Sequence, residues 1–311
     1  MCTALVVSLR RVVRLLCGLL ALFPFRGANA ADPLPQPTRQ IELARGVDLR
    51  IWKLQDPTPH TAYAVTLDLN ESHIRPGYTI GGVDPDGTGE FHTTNMTVLG
   101  AAERLRYDVA INTGVLVQPP ESSDAGDGWG KAYPATMVSG KWLTAPPDDS
   151  KATVVVVHRD GHFSIVPALS VPEDAWHVFP AHTGQLVDDG EPCRLSSRNT
   201  STTISRHPRT AIGVDEIGMQ VTLLVVDGRD SSEAVGVTTD TLEDWMVGLR
   251  IYDAANLWGG GNTTLVLREQ TQGPLRVFNE PSDRTAQGFI KLRSAQTTLG
   301  FSVYESGAFP R

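Results

Sequence analysis

Past residue 30 the chain keeps one cysteine, Cys193, of its 3. No intramolecular disulfide can form without the first 30 residues, so the fold has to be held by its core. That favours a bacterial exported protein over a disulfide-rich animal ectodomain. Basic residues are also scarce: 27 Lys and Arg stand against 35 Asp and Glu, for a formal charge of -8. With no basic patch to offset phosphate repulsion, a nucleic-acid partner is excluded, and any anionic ligand must be held by individual arginines. No His/Cys/Asp group has zinc-like spacing. No glycine loop has the Walker order or the GxGxxG order of a dinucleotide site. No organic cofactor is therefore expected, while a divalent cation held by carboxylates from separate strands stays open. Internal repeats, low-complexity tracts and any signal fixing an oligomeric state are missing too.

What the N-terminus does contain is an export pattern. Arg10, Arg11 and Arg14 precede an apolar stretch at 15–25, and Ala28-Asn29-Ala30 is a small-x-small cleavage signal. The stretch is too short for a comfortable membrane span, so no stable membrane insertion is expected. Residues 1–30 are read as a cleaved signal peptide, and the protein as secreted or periplasmic. Cleavage removes Arg10, Arg11, Arg14 and Arg26 but no acid, which takes the formal charge from -8 to -12. Residues 31–40, rich in proline, read as a flexible lead, and 41–311 as one domain.

Within that domain, residues 41–54 alternate in polarity as an edge strand, and 61–69 alternate more strongly. Glycine and aspartate mark 80–93 as a loop. Leu99, Ala102 and Leu105 recur at helical spacing before a strand that delivers Asn112 at its C-terminal end. A second loop, 118–130, carries Asp124, Asp127 and Trp129, spaced unlike an EF-hand. Loops at 80–95 and 118–135 are expected to border the cleft. Residues 153–157 with 163–165, and 211–214 with 219–226, read as hairpins. Eight or more strands, two or three helices and hairpin connections predict an α+β fold, a mixed, largely antiparallel sheet with a few packed helices.

The stretch 239–267 organises the rest. Leu242, Trp245, Met246 and Leu249 form one helical face, and Asp240 with Glu243 has the spacing of a capping box. A short strand follows, then Gly259, Gly260 and Gly261, then Asn262 and the apolar run Leu265-Val266-Leu267. Three adjacent glycines imply either a tight bend or a ligand lying on bare backbone.

The segment Asn256-Leu257-Trp258-Gly259-Gly260-Gly261-Asn262-Thr263 resembles the Asn-Leu-Asp-Gly-Gly-Gly-Ser-Ser segment of the phosphodiester glycosidase domain family. Four other segments match that family in order: Ala110-Ile111-Asn112-Thr113-Gly114, residues 207–214 from His207-Pro208-Arg209, residues 224–229 ending in Asp227-Gly228-Arg229, and Phe278-Asn279-Glu280-Pro281-Ser282-Asp283. The resemblance covers roughly 60–300. It implies a carbohydrate or glycosyl-phosphate substrate and hydrolysis of the sugar–phosphate link. The leaving group is then a phosphate monoester, so neutralising it and stabilising a cation-like sugar matter more than protonating it.

On that reading Asp227 faces the anomeric carbon as nucleophile, base or electrostatic partner, and Arg209 and Arg229 offer planar donor forks to phosphate. His207, held extended by Pro208, serves as an acid or donates one hydrogen bond. Asn112, Asn256, Asn262 and the backbone of Gly259, Gly260 and Gly261 meet the sugar's polar edge. The plain alternatives are that Asp227 and Arg229 pair across a surface turn, and that the asparagines close turns. Two departures stand out: Thr113 replaces a glycine, and Trp258 stands where the family carries an acid. Indole cannot act as base, nucleophile or metal ligand, but its face stacks on sugar rings. A non-catalytic carbohydrate-binding protein, or a hydrolase of non-phosphorylated glycosides, is the alternative this opens.

Overall fold

The strand His60–Asp68 sends Ala62 and Ala64 to one side and Tyr63, Val65 and Leu67 to the other, and all five are buried. A strand apolar on both faces has to lie inside a layered fold, and this one does. In the structure, a computed structural model, residues 34–55, 58–84, 87–89, 91–119, 128–230, 232–271 and 273–303 are described. The export signal and Asp124 and Asp127 of the second loop lie outside them.

The large sheet has eight strands in the order Arg39–Ala44, Val47–Leu54, His60–Asp68, Gln220–Val226, Arg209–Val214, Asp253–Asn256, Gly184–Asp188 and Glu191–Pro192. Helix Thr239–Gly248 covers one face with Leu242, Trp245 and Met246. The other face packs on two five-stranded sheets. One runs Leu275–Val277, Leu265–Arg268, Val109–Val115, Gln296–Ser302, Arg75–Thr79, and the other is built around Thr153–His158. Helix Val98–Leu105 closes the far side of the former through Val98 and Ala102 against Ala110 and Val266. Every strand pairing within the sheets is antiparallel, so the expected α+β class with largely antiparallel sheets is what the chain adopts. No helix among the described residues is long and apolar enough to cross a membrane.

Three local readings change. Residues 41–54 form a hairpin rather than one edge strand, turned at Gly46, whose φ of 75° suits glycine. The helix of 239–248 is capped by Thr238, whose side chain accepts from Thr241 N. The carboxylates of Asp240 and Glu243 turn away to Ser196 and to the backbone of Arg194 and Leu195 instead. Asn112 lies in mid-strand, because the ladder continues to Val115 against Gln296. At the start of the described chain, Leu34 packs beside the buried cluster of Trp52, and Pro35 O accepts from Trp52 Nε1 at 2.7 Å.

Candidate functional site

Register brings the matched segments to one end of the large sheet. Arg209 is paired with Val226, so the chain enters one strand through His207 and Pro208 where it leaves the next through Asp227, Gly228 and Arg229. Gly260 N donates to Pro208 O at 2.9 Å. Glu280 N donates to both Asp227 oxygens at 3.1 Å. Asn279 bridges the last two segments, accepting from Leu265 N at 2.7 Å and donating Nδ2 to Asp227 Oδ1 at 2.9 Å and Thr263 O at 3.1 Å.

Asp227 is the group this convergence presents. Strand residues 221–226 are buried without a break, and Asp227 N continues the ladder to Thr61 O at 2.9 Å. The residue is 4% exposed, and its carboxyl is pushed up to about 6 by burial, against the opposing hydrogen bonds from Asn279 and Glu280 N. Tyr63, hydrogen-bonded to it, has its hydroxyl raised by burial and by the charge of Asp227. The carboxyl opens on a cavity of about 410 Å³ that also takes in Lys53, Tyr63, Arg229, Glu280 and Arg284. Glu280 pairs there with Arg284 at 2.7 Å. Arg229 is exposed, at 3.5 Å from Ser282 Oγ and 4.0 Å from Asp283 Oδ1. A carboxyl close to half-ionised near pH 6, beside a second carboxylate and two guanidiniums, can take part in proton or charge transfer to a bound ligand.

The other residues singled out in the sequence occupy different surroundings. Arg209 is 2% exposed and donates to Val237 O, Thr202 O and Ser205 O, with burial lowering it to about 10. Asn112, 0% exposed, donates to Trp258 O and accepts from Thr210 Oγ1 and Thr264 N, tying three segments together. Asn256 donates to Thr183 Oγ1 at 2.7 Å, and its buried Oδ1 has no hydrogen-bond partner among the described residues. His207 is half-buried and shifted down by burial and by Arg209 and Arg229. The triplet packs against protein: Gly259 against Pro208 O and Gly261 against the Asp283 carboxylate, while Gly260 has φ of 64° beside the Arg229 guanidinium. Trp258 is half-buried, its ring 4.6 Å from that of His182 and 5.4 Å from the exposed Tyr133. Thr113 fits its position by pairing its hydroxyl with that of Thr297 at 2.7 Å.

Asn262 lines a second cavity, of about 500 Å³, with Asn95, Gln118, Asp283, Lys291 and Arg293 among its walls. The loops expected at the cleft thus contribute Asn95 and Gln118 to this cavity and, among the described residues, none to the Asp227 cavity. At the opposite end of the large sheet, Asp188, Asp189 and Asp253 hold carboxylate oxygens within 4.8 Å of one another. Carboxylates so spaced can share a divalent cation. Two of the three are exposed, and Asp189 also accepts from Tyr252 Oη at 2.6 Å. Sequence reasoning passed over Tyr63, Asn279 and Glu280. Tyr63 reads as one apolar position of an alternating strand, whereas Asn279 and Glu280 lie within a matched segment that could have pointed to them.

The sequence profile described as phosphodiester glycosidase matches residues 106–302. No curated protein matches at a significant level. Among solved structures, the chain is similar to the catalytic domain of zebrafish N-acetylglucosamine-1-phosphodiester alpha-N-acetylglucosaminidase, auto-inhibited by pro-peptide. The TM-score is 0.58 at 16% identity, over 85% of this chain and 86% of that one. It is also similar to a putative exported protein from Burkholderia pseudomallei, with TM-score 0.54 at 13% identity over 81% of this chain and 75% of that one. At such identities these two likenesses show the fold alone.

Proposed function

This chain belongs to the phosphodiester glycosidase family, and from that premise we propose that it hydrolyses a glycosyl phosphodiester of an envelope or extracellular glycan, releasing sugar and a phosphate monoester. One observation carries the reading: Asp227, 4% exposed and raised to about 6, is fixed at a strand end and opens on a cavity holding Arg229 and Arg284. Its carboxylate faces the cation-like anomeric centre as sugar and phosphate part, and Arg229 meets the charge gathering on the departing phosphate. Tyr63 and Asn279 hold the carboxyl in place. Arg209 acts at one remove, through the backbone carbonyls of the segments that frame the site. The export pattern of residues 1–30 supports a substrate outside the cytoplasm.

A second reading, carbohydrate binding without turnover, is favoured by the indole of Trp258 in place of an acid and by its half-buried cluster with a tilted His182 ring and an edge-on Tyr133 ring. Purified protein assayed against α- and β-linked sugar-1-phosphodiesters and the matching non-phosphorylated glycosides, with binding recorded in parallel, separates the readings. Turnover of a phosphodiester alone supports the first, and turnover of the simple glycoside moves the substrate class. Sugar binding with no turnover selects the second, and neither signal ends both.

A further inference from the structure

The two cavities flank one short segment: Ser282 lines the cavity of Asp227 and Asp283 lines the second. Arg229 belongs to the first, yet its Nη1 is 4.0 Å from Asp283 Oδ1, so the wall between them is about one side chain thick. Their charges differ. The Asp227 cavity sets Asp227, Asp230, Glu233 and Glu280 against Lys53, Arg229 and Arg284. The second sets Asp283 alone against Lys291 and Arg293, in a chain whose formal charge is -8. Asp283 is already engaged by Arg293 Nε at 2.7 Å, while the Lys291 ammonium has no ion pair among the described residues. The amides of Asn95 and Gln118 bond each other, at 2.7 and 3.1 Å, and form a polar wall.

An acidic pocket beside a basic one matches the two charges that separate when a glycosyl phosphodiester is cleaved. We propose that the Lys291–Arg293 cavity, reached past Arg229 on the shared wall, completes the leaving-group subsite, taking the phosphate monoester between Arg229 and Lys291 and its alcohol beyond, while the sugar lies over Asp227. This rests on the function proposed above. In the reaction the bond from the anomeric carbon to the phosphate oxygen breaks, and its electron pair stays on that oxygen. Water supplies a hydroxyl to the anomeric carbon and a proton to the solution or to the phosphate. The phosphate thus goes from a singly charged diester to a monoester whose second ionisation lies near pH 6, and an unpaired ammonium beside it favours that change. Substrates are then sugar-1-phosphodiesters whose alcohol side extends past Asp283 towards Asn95 and Gln118.

The test is calorimetric titration of the full chain with glycerol phosphate, with glycerol as the uncharged control, which requires no turnover. The parent should bind glycerol phosphate and not glycerol. Lys291→Ala should weaken that binding about tenfold, Lys291→Arg should restore it, and Lys141→Ala, on an exposed residue of another sheet, should leave it unchanged. No binding by the parent, binding indifferent to Lys291→Ala, or equal losses at Lys291 and Lys141 each overturn the subsite. If phosphodiester turnover persists while Lys291→Ala leaves monoester binding untouched, this inference fails alone. If no phosphodiester is turned over, the proposed reaction fails first, and the cavity's role in it with it.

Discussion

At the scale of single residues, Asp227 holds a carboxyl that its surroundings disfavour in charged form. With a folded pKa of about 6 against an ordinary 3.8, the folded state binds the proton more tightly than the unfolded one. Stability therefore falls as pH rises from about 4 through 6, by up to about 3 kcal/mol once the group is fully ionised. Asp227→Asn should raise the melting temperature at pH 7 and lose that advantage near pH 4. A variant less stable than the parent at pH 7 would mean that the accepted hydrogen bonds outweigh the burial. If the ionised carboxylate is the working form, kcat/KM of the parent rises with pH through about 6, an acid limb that a pH–rate profile displays directly. Trp258 allows a separate test. If its face stacks on the sugar, Trp258→Ala should raise KM about fivefold to tenfold and leave kcat nearly unchanged, since such a contact is worth about 1 kcal/mol. A fall in kcat with unchanged KM would place the indole outside the ground-state complex.

At the scale of elements, the helix Thr239–Gly248 was legible because Leu242, Trp245 and Met246 fall on one stripe, and all three are buried. Its cap was not legible. Asp240 and Glu243 have local capping spacing, but their partners lie 44 to 49 residues away at 194–196, and no local pattern reports a long-range bond. Glu243 is 0% exposed, raised to about 7 by burial, and accepts from the backbone of both Arg194 and Leu195. Glu243→Ala leaves the buried Leu195 donor and the part-buried Arg194 donor unmet and should cost about 1–3 kcal/mol, read as a lowered urea midpoint. Glu243→Gln keeps one acceptor and should cost less; equal losses would show that filling space, not accepting bonds, is what Glu243 contributes. The strand Arg75–Thr79 went unread because Pro76 and Gly77 argue against a strand, and it exists at the edge of its sheet, where proline is tolerated. The glycine triplet announced close approach in the sequence. What approaches, Pro208, Arg229 and Asp283, is visible only once the strands are paired.

At the scale of the molecule, the antiparallel hairpins were readable from alternation and turn residues, because each strand's pattern is local, whereas the burial of His60–Asp68 on both faces depends on the layers that pack there. The site was readable only in part. Asp227 and Arg229 stand beside one cavity, whereas Asn112, Asn256 and Arg209 are buried and hydrogen-bonded to neighbouring protein groups. Polar residues at strand ends look alike in sequence, whether they face a ligand or a neighbouring backbone. The proposed reaction breaks a sugar–phosphate bond over Asp227. The most direct measurement is phosphate monoester release from a sugar-1-phosphodiester by the parent and by Asp227→Asn, with sugar affinity measured on both. Expected are turnover by the parent, loss of at least about 10²-fold in Asp227→Asn, and sugar affinity within a few-fold of the parent's. Undiminished release by Asp227→Asn would contradict it.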